Sequence, residues 1–455
     1  MLARDLDRDL DLDRALDLER APEALDVALA SAANARGLSF IALPAPVVPA
    51  AAIVAAWRAA PIVAWSARGQ SFVGVGVARE LRGRGAARFD EVIAQARSIE
   101  VAAAGRWTPR IFGGAAWAPG AADREPWAGF GDAWFALPRW TYASYNEGAQ
   151  LVLAVDAHDA RHAGRWHDEL AAFRAAFAAG FAPRPQPPMT RLDPGDTEAW
   201  RADIRAITAG MARGDSQKIV PAREVLVELA GDVRPADLYA ELDARHGECA
   251  RVLVRPPGAA TLVAATPERL VALDGMRVSC DALAGTLPKD IDPAVLLASE
   301  KDRREHAFVV DAIARALRGL GAAVDMPDAP GVRALRHIWH LHTPIAATLP
   351  ARRHVLELAA ALHPTPAVGG TPTDVATAWI AAHEPARGWY ASPVGWFDLD
   401  GNGELVVAIR SGVVAGARAH LWAGVGVVAG SDPDRELAET DVKLRTMLGA
   451  LGVSA

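Results

Sequence analysis

Cysteine is almost missing from this 455-residue chain: only Cys249 and Cys280 are present. Two cysteines cannot build a disulfide framework or a four-cysteine zinc site, and they fit a reducing cytoplasm. An excess of one charge is missing too. The 48 Lys and Arg residues stand against 55 Asp and Glu, a net charge of −7. No long basic run occurs, which argues against nucleic acid as a partner. No stretch is apolar for long enough to cross a bilayer. Residues 1–20 alternate Leu with Asp and Arg, which is neither a signal peptide nor a membrane anchor, and a charged, frayed N-terminus is expected there. Apolar residues, by contrast, make up 51 % of the chain. A large core is therefore available, in two or three domains or one large unit.

The prolines of 181–196 (FAPRPQPPMTRLDPGD) mark a linker or a surface crossing. They divide a first part, 21–180, from a second, 197–452. The first part holds strand-like runs at Ser71–Ala78 and Gln150–Val155 and ends in a helix-like stretch, His162 to Ala179. Gly74 and Gly76 form G-x-G without a third glycine, a weak dinucleotide signal. Glycines in a strand more often admit a neighbouring backbone. The second part opens with a helix capped by Asp196 or Thr197, carrying Trp200, Ile204, Ile207 and Met211 at helical spacing and closed by Gly214. Strands are expected at Gln217–Leu226, Thr261–Ala265, Glu404–Ile409 and His420–Val428, with a hairpin turn at 398–403. Long helices are expected at about Leu296–Leu320 and Asp434–Leu451. The mixture predicts an α+β sheet protein.

Several residues have the chemistry of a site. Asp302 and Glu305 lie three apart on one helix, as do Glu436 and Glu439 on another, where Lys443 follows Glu439 by four. Two acidic helix faces suit a hard cation such as Mg²⁺, which takes one or two carboxylates plus water and substrate oxygens. Solvated faces with ordinary ion pairs are the commoner meaning of such spacing. Lys218 falls inside a strand, where burial would favour its neutral, basic form. Glu268, in Thr-Pro-Glu-Arg269, would act as an acid if its surroundings kept it protonated. A solvated strand end and a surface carboxylate are the plainer alternatives. Glycine turns at Leu283-Ala-Gly285-Thr286, Leu362–Gly370 and Ala423-Gly424-Val-Gly426 offer backbone N–H groups to anions or are merely turns. Arg410 is a candidate carboxylate clamp or a salt-bridge partner. His337, His340 and His342 invite a zinc reading. It is set aside because alternating strand residues face apart and no cysteine pair accompanies them.

Taken in order, QKIVPARE, ATPERLV, LAGT, ASEKDRREH, IWHLHTPI, LHPTPAVGGTP, GWFDLDGNGELVVAIRSG, AGVGVVAGSD and ELAETDVKL, from about Gln217 to Leu444, resemble the chorismate-utilising enzymes, most closely the isochorismate synthases. Before residue 180 only FVGVGVAREL and RIFGGAAW match, and loosely. The resemblance implies an α+β fold of two large antiparallel β-sheets packed face to face with helices outside. It implies Mg²⁺-dependent conversion of chorismate to isochorismate, with Lys218 as the base for water and Glu268 as the acid for the leaving hydroxyl. Glu305 and Glu439 would hold Mg²⁺, with Glu436 and Asp302 flanking. Gly285, Thr286, His340, Arg410, Gly424 and Lys443 would bind substrate. Ammonia-using relatives typically carry glutamine at the position of Lys218, so lysine points to water and to no glutaminase subunit. A cytoplasmic monomer is expected, and its isochorismate would feed menaquinone, a siderophore or a salicylate-derived product. The alternatives are a salicylate synthase or a non-catalytic chorismate-binding relative. Glu384 is taken as an exposed residue remote from this chemistry.

Overall fold

The computed structural model describes residues 20–453 except 104–106 and 147; most of the expected frayed N-terminus, 1–19, lies outside the described residues. Two large sheets carry the fold, one of twelve strands and one of ten, with a two-stranded ribbon beside them. Among the described residues every strand pairing is antiparallel except that of Leu38–Ala45 with Val101–Ala103. The α+β, antiparallel expectation therefore holds. Among the described residues, no helix is long and apolar enough to cross a membrane.

Residues from both parts of the chain share both sheets. Ile62–Ala67 pairs with Ala250–Arg255 in the larger sheet, and Arg110–Ala115 pairs with Pro393–Asp398 in the smaller. The two inner faces meet in one apolar core, where Phe72 of the larger sheet approaches Phe112 of the smaller at 6.1 Å between ring centroids. Burying rings of this size supplies much of the driving force for stacking two sheets. A second core, with Trp140, Tyr142, Trp166 and Phe173, lies where helices such as Ala163–Ala179 cover the larger sheet. After this helix, residues 181–188 form no regular element, and Met189–Asp193 becomes the edge strand of the larger sheet beside Ala222–Leu229.

The helix Thr197–Arg213 forms as its sequence directs. The Asp196 carboxylate accepts from the N–H groups of Glu198 and Ala199, and Gly214 ends the helix in the left-handed conformation. Two expected elements are interrupted. The strand anticipated at Gln217–Leu226 breaks at Val220-Pro221, where proline offers no N–H. Lys218–Ile219 then pairs with Gly370–Thr371 instead of continuing into the large sheet. The helix anticipated at Leu296–Leu320 breaks at Ser299, which is extended and caps Glu300–Gly319 by accepting from Asp302 N. The breaks lie close to Lys218 and Asp302, both singled out above.

Candidate active site

The cleft is walled by both sheets and by the helices Glu300–Gly319 and Pro433–Ala450, and holds about 710 Å³ including its mouth. Of the residues anticipated from sequence, Glu268, Gly285, Thr286, Glu305, His340, Arg410, Gly424 and Lys443 line it. Lys218 stands immediately behind this lining. Its side chain is fully buried and its Nζ lies 3.0 Å from Glu305 Oε1. That contact is an ion pair without hydrogen-bond geometry, so the ammonium's donors are otherwise unmatched. Gly426 makes the approach possible: a Cβ there would stand 2.0 Å from Glu305 Oε1 and 2.9 Å from Lys218 Cε.

Glu268 sits on the link between the strands Thr261–Thr266 and Arg269–Asp274. Its backbone N–H bonds to Thr266 Oγ1 at 3.2 Å, and the residue is 4 % exposed. Burial pushes its carboxyl up to about 8, against the pull of the Lys218 ammonium and with a push from Asp281. Burial thus favours its protonated form at neutral pH.

His340 and Arg410 form one unit. Arg410 is held at φ 50°, a left-handed conformation costly for a side chain of this size. Its Nη2 lies 3.3 Å from His340 Nε2, and His340 Nδ1 lies 2.8 Å from the Gly285 carbonyl. Arginine only donates and a carbonyl only accepts, so the histidine is neutral with its proton on Nδ1. Burial and the Arg410 charge push His340 down to about 3, which agrees. Among the described residues no carboxylate lies within ion-pair distance of Arg410, so a salt bridge does not account for it. Gly285 makes the carbonyl available: it forms a bulge at φ 69° between Ala284 and Thr286. His340 and His342 are two residues apart on the strand Ile338–Thr348 and so share a face, contrary to the alternation argued from sequence. They are separated by partners instead, since His342 Nε2 lies 2.8 Å from Asp281 Oδ1.

The four acidic residues occupy one patch between the two helices, and lysines hold them. Lys301 Nζ donates to Glu436 Oε1 at 3.0 Å. Lys443 Nζ lies 2.7 Å from Glu439 Oε1 and donates to the Gly424 carbonyl at 2.9 Å. Burial works to raise Glu439, but Lys443 and a hydrogen bond from Thr286 outweigh it and hold the carboxyl below its usual range. Burial first, then neighbouring carboxylates, raise Glu436 and Asp302. Among the described residues no three of these four bring carboxylate oxygens within 4.8 Å of one another.

Residues 31–452 match the family described as chorismate binding enzyme. The chain belongs to that family. It is 35 % identical to the salicylate biosynthesis isochorismate synthase of Pseudomonas aeruginosa, over 88 % of this chain and 87 % of that one. It is 33 % identical to the isochorismate synthase MenF of Bacillus subtilis, over 76 % and 75 %. The solved structure of the menaquinone-specific isochorismate synthase of Escherichia coli superposes with a TM-score of 0.80 at 26 % identity, covering 95 % of this chain and 99 % of that one.

Two features of this chorismate-binding enzyme escaped the sequence reading. Tyr390 lines the cleft beside Gly424, and burial pushes its hydroxyl up to about 12. Glu384 is not exposed, as had been expected: its carboxylate receives two 2.8 Å bonds from Arg387 and one of 2.9 Å from Ala222 N. Arg387 also donates to the carbonyls of Val368 and Val220. The pair thus clamps the Leu362–Gly370 turn to the chain beside Lys218. No local pattern announces it, because the contacts span up to 167 residues.

Proposed function

We propose that this chain is an isochorismate synthase, which converts chorismate to isochorismate with water and Mg²⁺. The observation that carries the reading is one cleft joining a wholly buried lysine, a glutamate whose protonated form burial favours, and a guanidinium that meets no carboxylate among the described residues. The named activities of the P. aeruginosa, B. subtilis and E. coli relatives agree with it.

Chorismate is a dianion. Arg410, held by His340, takes a carboxylate in bidentate fashion, and Lys443 adds a second positive charge at the Gly424 end. Glu305, Glu439, Glu436 and Asp302 are all hard oxygen donors, and Mg²⁺ needs only one or two carboxylates, so the residues fit it. Glu305 and Glu439, flanked by Asp302 and Glu436, would hold Mg²⁺, which would supply positive charge opposite the ring carboxylate and compete with Lys218 for the Glu305 carboxylate. Lys218 then takes a proton from water. The oxygen adds to the ring carbon next to the one bearing the carboxylate, the double bonds shift, and the hydroxyl on the far carbon leaves with the proton of Glu268. Hydroxide is a poor leaving group and water a poor nucleophile, so each step has its own proton partner. Water as nucleophile needs no glutaminase subunit.

The test is incubation of the pure protein with chorismate and Mg²⁺, with products separated over time. Isochorismate should form first and approach equilibrium from either side, since the isomers differ only in the placement of one hydroxyl and the double bonds. Pyruvate release matching chorismate loss, with salicylate appearing, would overturn the reading, as would anthranilate formed from ammonium. Absence of turnover would leave a chorismate-binding protein without catalysis.

A further inference from the structure

A second, smaller cavity backs onto the cleft. His246, Glu248, Cys249 and His337 help line it, and Pro267 and Arg410 border both cavities. The helix Pro235–Arg245 ends at His246, whose carbonyl accepts from Cys249 N at 3.0 Å. This turn gathers three side chains. A ring nitrogen of His246, a carboxylate oxygen of Glu248 and the Cys249 sulfur all lie within 4.8 Å of one another. His246 and Cys249 are 5 % and 6 % exposed. His246 Nδ1 stands 3.8 Å from Glu248 Oε1, too far for a hydrogen bond.

We propose that His246, Glu248 and Cys249 form a binding site for a thiophilic divalent cation, zinc fitting best. Nitrogen, sulfur and carboxylate oxygen are the donors zinc prefers, and sulfur excludes Mg²⁺. The fourth position belongs to water or to His337, whose ring lies 6.4 Å from that of His246. Arginines surround the turn. Arg251 and Arg333 donate to the carbonyls of Cys249 and Glu248, the Arg336 N–H donates to Glu248 Oε1 at 3.3 Å, and Arg410 borders the cavity. A bare cation would be repelled by them. A thiolate and the Glu248 carboxylate bring two negative charges, which offset the two of the metal. Burial pushes the Cys249 thiol up to about 12, so the free site carries a thiol. Metal entry forms the sulfur–metal bond and releases that proton to water. The exposed Glu248 supplies the way in. An occupied site would brace the wall directly behind the Arg410 clamp.

The experiment needs no substrate, so its outcome is independent of the proposed reaction. Metal-free enzyme is titrated with Zn²⁺ under saturating Mg²⁺, which occupies the hard-oxygen patch, and in parallel with Co²⁺, whose thiolate charge-transfer absorption reports sulfur ligation. One equivalent should bind, with the absorption present. Cys249→Ser should lose the absorption, and both it and His246→Gln should weaken zinc binding by at least about 100-fold, the upper range for loss of a mere outer-shell partner. Glu248→Gln, at an exposed position that keeps the fold, removes a ligand and one of the two negative charges and should likewise weaken it by at least about 100-fold. No charge-transfer absorption in the wild type, or unchanged zinc affinity in Glu248→Gln and His246→Gln, would overturn the proposal.

Discussion

Lys218 Nζ and Glu305 Oε1 lie 3.0 Å apart, with the lysine side chain wholly removed from solvent. A buried ammonium held by one carboxylate stays there because the pair is mutual, and removing either partner leaves the other charged and uncompensated. Both residues also belong to the proposed chemistry, so the pair couples the base to the metal ligand. Lys218→Ala is expected to cut kcat by about 10²–10⁴-fold while chorismate still binds. A loss near tenfold would demote Lys218 from base to structural residue. Rapid mixing with chorismate, following both binding and product, separates the two effects.

Glu268 makes a pH prediction with a definite sign. Its carboxyl is raised from 4.5 to about 8 in the folded protein. The acid form needed to protonate a leaving hydroxyl is present below that value and lost above it, so kcat should fall on the alkaline side with an apparent pKa near 8. Stability has the same linkage. The protonated group's contribution is full below about 4.5 and is lost as pH rises toward 8, at roughly 1.4 kcal/mol per pH unit. Glu268→Gln cannot ionise. Its stability relative to wild type should rise between pH 5 and 8 while turnover falls by about 10²–10⁴-fold. Denaturant melts at several pH values would show this, and parallel curves would refute it.

The acidic patch makes a metal prediction. EDTA should abolish turnover and Mg²⁺ restore it; full activity in EDTA would remove the metal from the reading. Lys301 gives a sharper test. Its ammonium pairs with Glu436, and burial, which would lower it, is outweighed by Glu436, Glu305 and Glu439. It therefore occupies charge that a cation would otherwise use. Lys301→Met should tighten Mg²⁺ binding by about five- to tenfold, the effect of ~1 kcal/mol of relieved repulsion. Calorimetric titration without substrate would detect it.

His340 and Arg410 are expected to act as a unit. His340→Ala removes the acceptor that aims Arg410, and Arg410→Lys keeps the charge but loses the planar fork. Each should raise KM for chorismate more than tenfold. The double variant should cost less than the product of the two, because the second change removes what the first already disabled. Multiplicative losses would show that the histidine touches substrate independently.

Much of this was legible in the chain because its signals are local. The Asp196 cap and the Gly214 stop bracket a helix that forms as expected. The spacing of Asp302 with Glu305 and of Glu436 with Glu439 sets each pair on one helix face, and the structure turns the faces toward each other. What stayed hidden depends on contacts between distant segments. Nothing near Glu384 tells that Arg387 and Ala222 N will bury it, and nothing near Arg410 tells that no acid among the described residues will reach it. Spacing also left open whether the acidic faces were solvated, since that depends on the partner helix. The motif order, rather than any single residue, marked Lys218 and Glu268 as a pair.

Gly426 tests the packing behind the chemistry. It lies between Val425 and Val427, both fully buried in the core, at a backbone conformation that needs no positive φ. Alanine is therefore acceptable to the local chain, and the cost falls on what a methyl would meet. Its Cβ would press on the Glu305 carboxylate at 2.0 Å and on Lys218 Cε at 2.9 Å. Glu305 stands at the end of a side chain and is the group able to give way. Gly426→Ala should therefore keep the fold with a lowered Tm, about 1–3 kcal/mol for overpacking and up to about 3–5 kcal/mol for separating Glu305 from the buried Lys218 ammonium. Displacing Glu305 removes the proposed metal ligand and the counterion of the proposed base together, so kcat should fall at least about 100-fold, a loss in the range of general acid–base groups, and Mg²⁺ binding should weaken. The stable fold is the informative half of this result. If Gly426→Ala kept both its activity and its affinity for Mg²⁺, the Lys218–Glu305 pair would not be the centre of the reaction.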